Sequence, residues 1–297
     1  MSEKSPVLSI ITPTYNRGHL LQRCYESLQQ QTEKDFEWII VDDGSVDSTQ
    51  EIVAGFCRAD FPVVYVKKEN GGKHTALNAS HPYIRGRYVL ILDSDDYLLA
   101  DAVERVRCGW NKFAEQERIG VVIFLRGDAE DSPLAYAKDE GVPVDILRYK
   151  KIRVRSSDCC EVIRTELFLK YPFPVFEGER FVSECALWNR VAQTHKCVYI
   201  NKVIYICEYL EGGLTQSGRK FRIRNPKGGM FTSNLRMDKK NYFSQRVKYG
   251  LLYTCYGFFA GVKPSEMARE CCAKVLMWLC LPLGGLLHIY WKNKFGD

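Results

Sequence analysis

The sequence predicts an α/β protein: a mostly parallel sheet with helices on both faces, followed by a helical appendage. Three observations carry this expectation. Short runs rich in Val, Ile and aromatic residues alternate with helical apolar spacing along the first third of the 297-residue chain, the β-α-β order that winds a parallel sheet. Each polar motif in that part falls where one of these strands stops. Finally, 46% of the residues are hydrophobic, ample for a core in one large domain or one domain with an appendage.

Residues 7–11 form a β-branched strand, broken at Thr12-Pro13-Thr14-Tyr15-Asn16. From 19 to 31, Leu20, Leu21, Cys24, Tyr25 and Leu28 recur with a helical period. The second strand, 36–41, ends on Asp42-Asp43-Gly44-Ser45, and Asp47-Ser48-Thr49 is an N-cap cluster for a helix to residue 56. A third strand at 63–66 leads into Glu69-Asn70-Gly71-Gly72-Lys73-His74, and a short helix at 75–80 stops near Pro82. The fourth strand, 88–92, is apolar throughout, as a strand covered on both faces is, and runs into Asp93-Ser94-Asp95-Asp96.

Ligands of such sheets bind beyond the carboxyl ends of the strands, where these motifs lie. Asp93, Asp95 and Asp96 are close enough to raise one another's pKa unless a cation sits among them. A divalent ion with oxygen ligands suits them, and a nucleotide diphosphate is a common co-ligand of Mg²⁺ or Mn²⁺. The plainer reading is a solvated turn with Asp95 or Asp96 as an N-cap. Tyr15 could lay its ring on a base or be a packing tyrosine. Asp43 could bond a base or ribose, or form an Asx-turn into Gly44-Ser45. Gly71-Gly72-Lys73 offers a flexible backbone and a cation to a pyrophosphate, without the spacing of a Walker A loop.

Taken together, residues 8–16, 39–49, 70–78 and 92–96 resemble the family 2 glycosyltransferases with the GT-A fold, a Rossmann-like mixed sheet. The resemblance implies a hexosyl-transferring enzyme with a nucleotide-sugar donor, usually a UDP-sugar, and a divalent metal, Mn²⁺ or Mg²⁺. Position by position it implies that Pro13 and Tyr15 line the base pocket and that Asp43 contacts uracil or ribose. Lys73 would lie near the donor, Asp93 near the ribose, and Asp95 on the metal bridging the diphosphate. Asn16 and Ser94 complete the implied donor-binding set.

A second chemical stretch spans residues 177–188. Family members carry an acid here, often as Glu-Asp, before an apolar helix with an Arg; it is the catalytic base of the inverting enzymes. Ala186, Leu187, Trp188 and Arg190 point to Glu184 as its counterpart, although Ser183 replaces the first acid and Glu replaces Asp. Glu179 is the competitor, and a first-turn acid favoured by the helix dipole is the plainer reading of Glu184. A positioned carboxylate takes the proton of the attacking hydroxyl, typically contributing about 10²–10⁴-fold. In-line attack in one displacement inverts the anomeric configuration.

The expected organisation is a catalytic domain at 1–210, with a nucleotide-binding half (1–97) and an acceptor-side half (98–210) whose 127–145 stretch is a surface loop or an acceptor-side insertion. A mobile Gly- and basic-rich segment (211–238) follows, with Arg219, Lys220, Arg222, Arg224 and Lys227 suited to phosphates, then a helical tail (239–297). Residues 275–291 carry no Asp, Glu, Lys or Arg, but the run is short of a spanning helix and is interrupted at Pro282-Leu283-Gly284-Gly285. The favoured reading is a tail lying on the inner membrane face of the cell, the enzyme being cytoplasmic and peripheral. The acceptor would be a glycan or an undecaprenyl-type lipid-linked glycan of bacterial surface polysaccharide. Ordinary packing or a homodimer interface is the alternative. A net charge of +6 gives no ground to expect nucleic acid. Residues 1–6 are polar, so no secretory leader is expected, and 12 cysteines without a C-x-x-C spacing point to reduced packing thiols. Two rivals remain: a phosphoreceiver-like module, and a nucleotidyltransferase that releases pyrophosphate.

Overall fold

A computed structural model of the chain describes residues 5–149, 151–156, 158–207 and 218–295. The chain forms two compact units, residues 1–172 with 194–210, and residues 173–193 with 211–297. Residues 173–193, expected within the catalytic domain, thus belong to the same unit as the tail.

In the first unit the four expected strands are β1 (Leu8–Thr14), β2 (Phe36–Asp42), β3 (Val63–Lys67) and β4 (Tyr88–Ile91). Next come β5 (Tyr97–Leu98), β6 (Ile119–Ala129), β7 (Ser132–Pro133), β8 (Ala135–Tyr136), β9 (Ile152–Arg153), β10 (Cys159–Arg164) and β11 (Lys196–Ile206). The main sheet runs β3-β2-β1-β4-β10-β6-β11-β5, with β7 on β6, while β8 and β9 pair apart from it. Pairs among β1, β2, β3 and β4 are parallel, as is β6 with β11, whereas β10 lies antiparallel between β4 and β6. The sheet is therefore mixed and mostly parallel, as expected. The 127–145 stretch is not simply a loop: it holds the end of β6, then β7 and β8.

Helices α1 (Gly18–Gln29), α2 (Thr49–Ala54), α3 (Lys73–Ala79), α4 (Ala102–Asn111) and α5 (Thr165–Lys170) flank this sheet. All seven residues of β1 and of β2 are buried, which is why neither strand alternates with polar residues. Leu8, Ile10, Trp38, Ile40, Leu90 and Phe124 anchor one continuous core. Pro13 stands inside central strand β1 without cost: β4 pairs with β1 only as far as Ile11, so the N–H that Pro13 lacks has no partner to lose.

The second unit is helical: α6 (Cys185–Val191), α7 (Gly218–Ile223), α8 (Pro226–Arg236), α9 (Phe243–Phe259), α10 (Pro264–Glu270) and α11 (Lys274–Phe295). The Gly- and basic-rich segment holds α7 and α8, and its 211–217 portion lies outside the described residues. Its glycines serve packing: a Cβ on Gly228 would meet the Phe181 carbonyl, and one on Gly229 the Tyr256 ring at 2.9 Å. Contrary to expectation, α11 is not interrupted at Pro282 but runs on for 22 residues. Pro282 is exposed, so the carbonyl left without its N–H faces outward, while Gly284 is held tightly against Thr254 of α9. Cys24, Cys159, Cys160, Cys197, Cys207 and Cys255 are buried free thiols.

Candidate active site

The loops after β1, β2, β3 and β4 are tied into a closed ring by polar contacts. After β1, Asn16 adopts a left-handed conformation (φ 52°). Its N–H donates to Ser45 Oγ at 2.8 Å, and its Oδ1 accepts the Val46 N–H at 2.9 Å, joining the first loop to the second. Asp43 joins the second to the third: Oδ1 accepts from Lys68 Nζ at 2.6 Å and Gly71 N–H at 3.0 Å, and Oδ2 from Gly72 N–H at 2.6 Å. Gly72 can turn its N–H there because its φ is 92°, a value that a side chain would strain. Lys73 then pairs with Asp93, joining the third loop to the fourth. Arg17 closes the ring, with its guanidinium 2.8 Å from Asp95 Oδ2.

The fourth loop is the electrostatic centre. Asp93 is bracketed by Lys73 and by Arg126, whose guanidinium lies 3.8 Å from Asp93 Oδ2. Burial works to raise the Asp93 pKa, but these cations outweigh it and hold the carboxyl below the usual range. Asp96 has the opposite balance. Burial first, and the neighbouring Asp93 charge second, push it up to about 7, although the Tyr205 hydroxyl donates to it at 2.7 Å. Arg126 also stacks over Tyr205, 4.1 Å from the ring centre, and donates to the Cys159 carbonyl. The mutual repulsion expected of these aspartates is therefore met by Arg17, Lys73 and Arg126, and by the elevated pKa of Asp96.

Of the other sequence-derived positions, Tyr15 is 45% exposed, as a base platform requires, and Pro13 is buried in β1. Ser94 is buried, and its carbonyl faces the Cys24 thiol. Among the described residues no three His, Cys, Asp or Glu side chains gather around a common point. Asp95, like Asp93, is paired with a side-chain cation, and its side chain keeps 16% exposure. Its carboxylate is the kind of oxygen ligand that a hard divalent ion takes.

Both candidate bases lie in the second unit. Glu179 accepts the N–H groups of Lys227 and Gly228 at 2.6 and 2.8 Å, so both its oxygens close the first turn of α8. Glu184 stands at the N-cap position of α6, half-buried, with its backbone carbonyl accepting from Leu187 and Trp188. In the late basic cluster, Arg219 stacks on Trp291, 4.1 Å from the ring centre. Sequence reasoning missed Arg17, Arg126 and Tyr205. Arg17 had a signal in its place beside Asn16; Arg126 and Tyr205 sit in apolar strand runs and had none.

A mixed sheet of this order, with acidic loops at the carboxyl ends of its parallel strands, is the GT-A transferase fold. The chain belongs to glycosyl transferase family 2, whose model matches residues 9–164, over half of the 297; it is a glycosyltransferase. The glycosyltransferase GlyG of Streptococcus pneumoniae serotype 4 is 26% identical over 228 residues, 72% of this chain and 74% of that one. Other curated relatives match over shorter stretches, and the chain spans only 10% to 35% of their length. Among solved structures, Staphylococcus aureus TarS 1-349 in complex with UDP has a TM-score of 0.65 at 17% identity, covering 97% of this chain and 90% of that one. The mannosyltransferase PcManGT of Pyrobaculum calidifontis, in complex with GDP-Man and Mn2+, has a TM-score of 0.56 at 15% identity, covering 98% and 84%.

Proposed function

We propose that this enzyme transfers a sugar from a UDP-sugar to a glycan or lipid-linked glycan acceptor, with inversion and with the aid of Mn²⁺ or Mg²⁺. The closed ring of loops carries this reading, because it gathers Asn16, Asp43, Lys73, Asp93 and Asp95 at one sheet end. Tyr15 and Pro13 take the base, Asp43 and Asp93 hold base and ribose, and Lys73 faces the diphosphate. Asp95 would hold the metal, which would supply charge neutralisation on the departing diphosphate. Glu184 accepts the proton of the attacking hydroxyl; that both oxygens of Glu179 accept backbone N–H groups of α8 supports this choice over Glu179. TarS was solved with UDP and with UDP-GlcNAc, and PcManGT with Mn2+, which supports a nucleotide-sugar donor and a divalent ion. Bacterial surface polysaccharide assembly at the inner face of the cell membrane is the setting that suits a lipid-linked acceptor.

A screen of nucleotide sugars with Mn²⁺, read by thermal shift and by nucleoside diphosphate release, tests this. A UDP-sugar at a hundred times its Kd should add about 2.7 kcal/mol, a rise of a few degrees in Tm. Release of pyrophosphate instead of UDP would show nucleotidyl transfer and overturn the proposal.

A further inference from the structure

Helix α11 has two unlike faces. On the inner one, Met277, Cys280, Gly284 and Trp291 are buried. It packs on α9 through Gly250 against Cys280, Thr254 against Gly284, and Phe258 against His288, pairs that follow in the same order along both helices. On the outer one, Val275, Leu279, Leu283 and Leu286 are 77%, 71%, 58% and 63% exposed. At about 100° per residue these four, with exposed Trp278 and Tyr290, fall within one arc of roughly 140°. Exposed Lys274 and Lys292 border that arc on one side and Lys294 on the other, and the helix contains no Asp or Glu.

We propose that this face of α11 lies in the interface of an anionic lipid bilayer, its stripe among the acyl-chain ends and its three lysines at the phosphates. The charge pattern selects this occupant. Two copies packed through the stripe would bring lysine borders together with no acid on the helix to pair them, whereas anionic lipid attracts them. Trp278 and Tyr290 are the residue types that settle at headgroup level. By length alone α11 could span a bilayer, but its inner face is fixed to α9, which carries Arg246 and Lys248. The helix therefore lies on the membrane and does not cross it. This deepens the lipid-linked acceptor reading by naming the surface that would bring the enzyme to its substrate.

Co-sedimentation of the full chain with phosphatidylcholine vesicles, with and without phosphatidylglycerol, tests it without donor or acceptor, so failure here leaves the catalytic reading standing. The chain should bind the anionic vesicles and lose affinity as salt rises. Each of Lys274→Gln, Lys292→Gln and Lys294→Gln should weaken binding about fivefold. The triple change Leu279→Asn, Leu283→Asn, Leu286→Asn should abolish it; these side chains are exposed, so an unchanged circular dichroism spectrum and Tm confirm an intact fold. Equal binding by the triple variant, no preference for anionic lipid, or a stripe-dependent dimer that ignores vesicles would each overturn the proposal.

Discussion

The two units each hold carboxylates at the end of a structural element, but with different partners. In the first, Asp93 and Asp95 are paired with the side chains of Lys73 and Arg17. A side-chain cation can swing away and yield its place to a metal or a phosphate. In the second, Glu179 is bound by two backbone N–H groups of α8, which cannot leave unless the helix unwinds. An acid with exchangeable partners is available for chemistry; an acid locked by backbone is architecture. That difference sets Asp93 and Asp95 apart from Glu179.

The largest test of the contrast is at the two glutamates. Glu184→Gln should leave Mn²⁺-supported UDP binding intact and lower transfer by about 10²–10⁴-fold, measured as UDP release with acceptor present. Glu179→Gln should do the converse, costing about 1–3 kcal/mol of stability with transfer retained by the folded fraction. A Glu179 variant with normal Tm and no transfer would reverse the assignment. Next in size, Asp95→Ala should remove the Mn²⁺-dependent part of UDP binding in calorimetry, while binding without metal is little changed. Lys73→Ala should weaken UDP binding by roughly ten- to a hundredfold, since a charge-assisted hydrogen bond is worth about 1.5–3 kcal/mol.

The smallest effect concerns stability alone. His74, on α3 and 2% exposed, has neither ring nitrogen hydrogen-bonded, and burial lowers its pKa from 6.5 to about 4. Folded chains keep it neutral where unfolded chains take up a proton. Its contribution is thus full above pH 6.5 and is lost toward pH 4, by up to about 1.4 kcal/mol per pH unit. Denaturant midpoints of the native chain and of His74→Leu, compared from pH 7 to 5, should show the shallower fall in the variant.

Much of the first unit was legible in its sequence because the signals are local. Runs rich in β-branched and aromatic residues announce β1, β2 and β4, and Gly72 and Asn16 sit where the backbone turns. What could not be read depends on contacts across long separations. Arg126 and Tyr205 reach Asp93 and Asp96 only because β6 and β11 share the sheet. Nothing local showed that Glu179 receives N–H groups from the first turn of α8, 48 and 49 residues away. Pro282 and Gly284 argued locally for a break, and packing of α11 on α9 overrode them.

The hoop of contacts at the sheet end has a practical consequence. Were a divalent ion to claim Asp95, Arg17 would lose that partner, and Asn16 beside it is the residue that grips the next loop. The amide proton of Val46, held by the Asn16 side chain at 2.9 Å, therefore becomes a remote reporter: its deuterium exchange rate should change on metal loading although it touches no ligand.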